Sequence, residues 1–247
     1  MVVLALDTTV RSGSVAVLRG GDVLVERVGD PLVPHGRRLP GDILAGLHEA
    51  GLTVADVELY GVASGPGAFT GLRVGIATVQ GLAFAHGRPV AAVSALDALA
   101  HAALSHPRTG AGTLIAPWMD AARGEVFSGL FEVAEDSEVR LISIEGPAVA
   151  SPDATLVRWQ AWLGGRQVIF VGEGALSYRS RIEVSQGDRA DIVAVAPAIA
   201  VTIGRLAAGL AAAGGAGPPH AVRPLYVRRP DAELARERRT GTAPHAG

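Results

Sequence analysis

Three short apolar runs at the amino terminus, Val2 to Leu6, Ser14 to Leu18 and Asp22 to Val28, constrain the fold more than any other feature. Each is too short for a stable helix and rich in β-branched or aliphatic residues, and Gly13 and Gly20-Gly21 separate them. Such runs read as strands joined by tight turns, so the chain opens with a three-stranded meander. After the break at Pro31 and Pro34 the period changes: Leu39, Ile43, Leu47 and Ala50 recur at helical spacing, and Gly51 supplies a stop. Val57 to Ala63 predicts another strand and Thr70 to about His86 a second helix. Val90 to Val93 and Ala95 to Ser105 predict one more strand and helix.

The turn material from His106 to Gly110 introduces a second set of elements. Strands are expected near Thr113–Trp118, Glu125–Val133 and Arg140–Ile144, then a helix near Ala154–Leu163 and a strand at Gln167–Val171. A long alanine-rich helix, Pro197 to Ala213, is expected to pack back on the first unit. The domain reading is therefore discontinuous: a first lobe of residues 1–106 with a returning helix in 193–216, a smaller second lobe of 107–192, and a carboxy-terminal segment and flexible tail, 217–247. Strands first and helices after, with one strand between helices, suit mixed sheets flanked by helices in an α/β protein.

What the chain lacks narrows its chemistry. Its 247 residues contain no cysteine, which removes disulfides, thiolate nucleophiles and zinc–cysteine sites. All 22 basic residues are arginine, so there is no phosphate-binding or Schiff-base lysine. Asparagine is also absent. The formal charge of −2 provides no bulk attraction for nucleic acid. The first apolar run meets Asp7 too soon for a signal peptide or membrane span, and the stretch Val193 to Gly204 is broken by Pro197 and reads as a buried helix. A soluble, cytoplasmic protein with no membrane partner is expected. From Arg228 onward, Arg229, Arg236, Arg238 and Arg239 alternate with acidic residues, either as a solvated tail or as a contact strip.

The loop Gly65-Pro66-Gly67-Ala68-Phe69-Thr70-Gly71-Leu72-Arg73 lies between a strand and an amphipathic helix. Two glycines around a proline force a tight turn, and Thr70 is placed as the N-cap of the helix that follows. Physically this is either ordinary turn-and-cap chemistry or an anion-friendly helix start. The seven histidines include no pair three or four residues apart, and His101 and His106 are five apart, so no metal centre is expected.

The run Gly65 to Arg73 closely resembles the signature of the TsaB (YeaZ) family, and three further stretches support the resemblance in the right order. Leu4 to Thr9 is similar to the family's opening strand and turn, Met119 to Phe127 to its second-domain signature, and Pro224 to Arg228 to its closing segment. The resemblance implies a two-lobed actin-like ATPase, or ribonuclease-H-like, fold. It implies a non-catalytic dimerisation subunit that supports TsaD in transferring threonylcarbamoyl to the adenosine beside the tRNA anticodon. TsaE is a further implied partner, a homodimer of the isolated chain is left open, and tRNA is met only within the complex. No resident cofactor is implied, with room left for ATP or ADP at the complex interface. Asp7, Thr8 and Thr9, with Gly172 and Gly174, would be a vestige of the superfamily's nucleotide site. The family's dimers form on the first-lobe helices, which nominates Leu39, Ile43, Leu47, Gly71, Leu72, Gly75, Ile76 and Val79 as interface, although such stripes also read as core. Two other chemistries compete: a metallopeptidase suggested by the family's older kinship with glycoproteases, and a small-molecule kinase or ATPase of the same superfamily.

Overall fold

A computed structural model describes residues 1–135, 141–193 and 198–228. The meander forms as expected from β1 (Val2–Asp7), β2 (Ser14–Arg19) and β3 (Asp22–Val28). Strands β4 (Leu59–Gly65) and β5 (Val90–Ser94) complete a sheet of order β3-β2-β1-β4-β5, antiparallel on one side of β1 and parallel on the other. Strand β1 is central and buried on both faces, which is why it reads as an unbroken apolar run. Val2, Leu4 and Leu6 face α1 (His35–Glu49) and α2 (Phe69–Ala85). Val3 and Ala5 face α3 (Ala95–Ala102) and the returning α7 (Ala200–Ala212).

Helix α1 begins four residues before Leu39 and carries Pro40 inside it. It ends as its sequence predicts: Gly51 takes a left-handed φ of +67°, Leu52 N–H donates to Leu47 O at 2.8 Å and Gly51 N–H donates to His48 O at 3.0 Å. That pair of bonds satisfies carbonyls the helix would otherwise leave open. Helix α7 packs on the first lobe, where Gly204 lets it sit close against Leu18 and Ala5, Gly61 of β4 makes room for its Ala207, and Ser14 Oγ accepts from Ala200 N–H at 3.1 Å.

The second lobe is built from β6 (Leu114–Asp120), β7 (Val126–Val133), β8 (Leu141–Ala150), α4 (Pro152–Leu163), β9 (Val168–Val171), α5 (Glu173–Ser177), α6 (Arg179–Gln186) and β10 (Ala190–Val193). Strand β8 runs six residues beyond the expected Ile144, and α5, α6 and β10 are elements that the sequence pattern does not predict. Because β10 pairs with β9, Val193 belongs to the second lobe, and the buried helix expected from Val193 starts only at Ala200. The order β8-β7-β6-β9-β10 repeats the first sheet strand for strand, with the same sense at every pairing. Trp118, Trp159 and Phe170 fill its outer core, with the Trp118 and Phe170 rings edge-on at 5.3 Å. Two copies of one lobe design, with helices between them, make the expected actin-like, ribonuclease-H-like architecture. Among the described residues no helix is long and apolar enough to cross a membrane.

Candidate functional site

The duplication brings the ends of β1 and β6 near each other, with Asp7 and Asp120 both close enough to act on Glu173. At the first, Asp7 is buried, and its Oδ1 accepts from Thr9 N–H at 2.8 Å and from Thr9 Oγ1–H at 2.6 Å. Burial raises the Asp7 pKa, and the Thr9 bonds and the nearby His35 and Arg38 offset this in part. The turn between β1 and β2 is held from α1: Arg38 donates to Ser12 O and Arg11 O and pairs with Asp42 at 2.5 Å. Arg38 Nη2 also lies 2.8 Å from His35 Nδ1, and arginine can only donate, so Nδ1 accepts and His35 Nε2–H donates to Val10 O at 2.9 Å. Burial lowers the His35 pKa, in keeping with that neutral tautomer.

The signature loop closes on the same turn. Gly65 has φ +123°, and a Cβ there would stand 2.6 Å from Leu225 O; a Cβ on Gly67 would stand 2.5 Å from Thr9 Cβ. Ala68 N–H donates to Thr9 O at 2.8 Å. Thr70 is not the N-cap: α2 starts at Phe69, its N-cap is Ala68 with no side-chain cap bond, and Thr70 is already a helical residue. The docking of Ala68 on Thr9 sets the start of the helix in place of a hydroxyl cap. Phe69 and Arg73 turn the other way, to the carboxy-terminal segment. The Phe69 ring stacks on Tyr226 at 5.1 Å, the Arg73 guanidinium lies 3.9 Å above Phe69, and Arg73 Nε–H donates to Tyr226 Oη at 2.9 Å.

Several residues nominated for the partner interface are interior. Leu39, Ile43, Leu47, Leu72, Ile76 and Val79 are all at most 4% exposed; Leu72 lies beside Gly65 and the other five pack on the β1, β2 and β4 side chains. Gly71 and Gly75 are buried too, because a Cβ on either would strike Thr8: they make room for this chain's own turn rather than for a neighbouring backbone. Only one stripe of each helix can face the sheet, and the apolar stripe wins it. The outward stripes are Arg37, Pro40, Gly41, Leu44 and His48 on α1 and Thr70, Arg73, Ala77, Gly81 and Phe84 on α2. Two large apolar side chains stand out of this smooth surface, Leu44 at 58% exposure and Phe84 at 82%.

In the second lobe, the turn after β9 matches the one after β4: Gly172-Glu173-Gly174-Ala175 occupies the place of Gly65-Pro66-Gly67-Ala68. Gly172 has φ +106°, and a Cβ on Gly172 or Gly174 would meet the Trp118 and Met119 backbone at 2.5 to 2.9 Å. Burial and the facing carboxylates of Asp7 and Asp120 raise the Glu173 pKa. The structure thus joins Asp7, Asp120 and Glu173, of which the sequence motifs nominate Asp7 alone. The repeated Gly-x-Gly-Ala and the aspartates ending β1 and β6 are the signal that could have found the other two. As a cradle for nucleotide phosphates these turns do not fit: Thr8 and Thr9 are buried, the Thr9 hydroxyl is bonded to Asp7, and Gly67, Gly71 and Gly75 cover the turn. Among the described residues no group of three or more histidine or acidic side chains is arranged to hold a metal ion. The tail arginines Arg229, Arg236, Arg238 and Arg239 lie outside the described residues.

Comparison with known proteins fits this geometry. The family model "TsaD: tRNA N6-adenosine threonylcarbamoyltransferase" matches residues 33–201. The tRNA threonylcarbamoyladenosine biosynthesis protein TsaB of Escherichia coli is 32% identical over 176 residues, 70% of this chain and 72% of that protein. Its namesake in Bacillus subtilis is 28% identical over 185 residues, 74% of this chain and 76% of that protein. The solved structure of YeaZ from Pseudomonas aeruginosa superposes with a TM-score of 0.73 at 33% identity, covering 91% of this chain and 99% of that one. With these matches running through both lobes, the chain belongs to the TsaB (YeaZ) family.

Proposed function

We propose that this protein works in the biosynthesis of tRNA threonylcarbamoyladenosine as a non-catalytic subunit that binds TsaD through the outward faces of α1 and α2. The observation that carries the reading is the exposed surface of those helices, where Leu44 and Phe84 project from a floor of Pro40, Gly41, Ala77 and Gly81. A small-residue floor lets another helix pair come close, and two protruding apolar side chains give it something to bury. The packed β1–β2 turn and the absence of a histidine pair at helical chelating spacing speak for support of another subunit rather than for chemistry at this site. They weigh equally against the kinase and metallopeptidase readings. TsaE is the further partner in this proposal, and the same helix faces serve a homodimer when TsaD is absent.

Reconstitution tests it. Purified TsaD and TsaE from the same organism, with threonylcarbamoyl-adenylate and an ANN-decoding tRNA, should form modified tRNA when this chain is added and little without it. The chain alone should form none. Transfer by the isolated chain, or TsaD activity indifferent to its presence, overturns the proposal.

A further inference from the structure

Three stretches set apart in sequence, the loop Gly65–Arg73, the β6–β7 hairpin within Met119–Phe127, and Pro224–Arg228, meet at one place. The closing segment first docks on the first lobe, where Leu225 N–H donates to Ser64 O at 2.7 Å and Leu225 lies against Gly65. Tyr226 then joins Phe69 and Arg73 in the stacked, hydrogen-bonded group at the start of α2. Two residues later the segment reaches the second lobe: Arg228 Nη1–H donates to Ala121 O at 2.5 Å, Nη2 pairs with Glu125, and the guanidinium lies 5.8 Å from the Phe127 ring centre. Ala121 follows Asp120, so the far anchor adjoins one of the carboxylates that act on Glu173.

We infer that Leu225–Arg228 is an interlobe strap that fixes the angle between the lobes by tying the start of α2 to the β6–β7 hairpin. The lobes also share a continuous apolar core through α3 and α7, to which Ala121 and Phe127 belong and against which Val227 of the strap itself packs. Apolar packing is non-directional and by itself permits one lobe to rock on the other. The strap adds directional contacts to that packing, with one charge-assisted anchor on each side, Arg73 to Tyr226 and Arg228 to Glu125 and Ala121. It also explains why Gly65 must be glycine, since a side chain there would displace Leu225. The strap is complete within one chain and needs no partner.

The chain's lack of cysteine makes the test direct. Cysteines introduced at Val23 on β3 and Val184 on α6, 40% and 90% exposed, take spin labels at those positions alone. Interlobe distances are then read by pulsed electron resonance, with labelled chain diluted in unlabelled chain to remove contributions from dimers. The intact strap should give a single narrow distance. Arg228→Ala, Arg73→Ala and truncation after Pro224 should each broaden the distribution toward longer distances while near-ultraviolet dichroism of the tryptophans stays native. Arg228→Lys, which keeps the charge but loses the forked donor, should fall between, and it substitutes for Arg228→Ala if that variant fails to fold. An unchanged distance distribution in the folded variants, even with a lowered melting temperature, would make the segment simple packing and overturn the inference.

Discussion

Ile43 and Leu44 are neighbours on α1, yet one is 2% exposed and the other 58%, and this contrast makes the sharpest test of the docking face. Fully burying a leucine or phenylalanine side chain is worth about 1.5–3 kcal/mol. If TsaD covers what remains open, Leu44 contributes about 1–2 kcal/mol and Phe84, 82% exposed, contributes about 1–2.5 kcal/mol. Replacing both by alanine should weaken the complex by about 2–4 kcal/mol, roughly 30- to 1000-fold in Kd. The same pair should change the stability of the free chain by no more than about 0.5 kcal/mol, because neither fills its core. Ile43→Ala should do the reverse: about 2–5 kcal/mol of stability lost to a cavity under the sheet, with affinity for TsaD preserved wherever the chain is folded. Titration calorimetry and urea denaturation read the two quantities separately. A double variant that binds TsaD as tightly as the parent would show that the partner sits elsewhere, however stable the variant proved.

Gly75→Ala should destabilise the first lobe by about 1–3 kcal/mol in thermal melts, since its methyl would overlap Thr8 Oγ1, a hydroxyl buried without a hydrogen bond; an unchanged melt would mean that the turn yields freely. Asp7 has its pKa raised above the ordinary 3.8 by burial, so its contribution to stability is present below 3.8 and is lost as pH rises through the raised value. Asp7→Asn should therefore raise the melting temperature at neutral pH and lose that advantage in acid, and a variant less stable at neutral pH refutes the sign. Trp159→Ala, at the fully buried centre of the second lobe, should cost about 3–5 kcal/mol in denaturant titration, and a loss under 1 kcal/mol would contradict the packing.

Local chemistry makes much of this fold legible in the amino-acid sequence. The meander follows from strand length and glycine placement, and Gly51 closes α1 with the bonds its position predicts. Where tertiary packing decides, the sequence is silent or misleading. The stripe Leu39, Ile43, Leu47 announces that one face of α1 is covered but carries no label for what covers it, and the sheet has the first claim. Thr70 has the right chemistry for a cap, yet Ala68 is held by Thr9, a residue 59 positions earlier. Short elements such as α5, at five residues, offer too few periods to be read. The lobe duplication survives in little more than two aspartates and one Gly-x-Gly-Ala pattern, so only the matching strand orders expose it.

The apolar core shared by the two sheets has a consequence for how the molecule comes apart. Val3 and Ala5 of the first sheet and Ile115, Met119, Phe127 and Ile169 of the second belong to one cluster, joined through Leu96 and Leu99 of α3 and Ile203 of α7. A fragment cut after residue 106 would strand that surface in water and also forfeit α7, which arrives only at Ala200. Neither lobe is an autonomous folding unit, so calorimetry should record a single cooperative transition. A lesion in one half will be felt as lost stability in both.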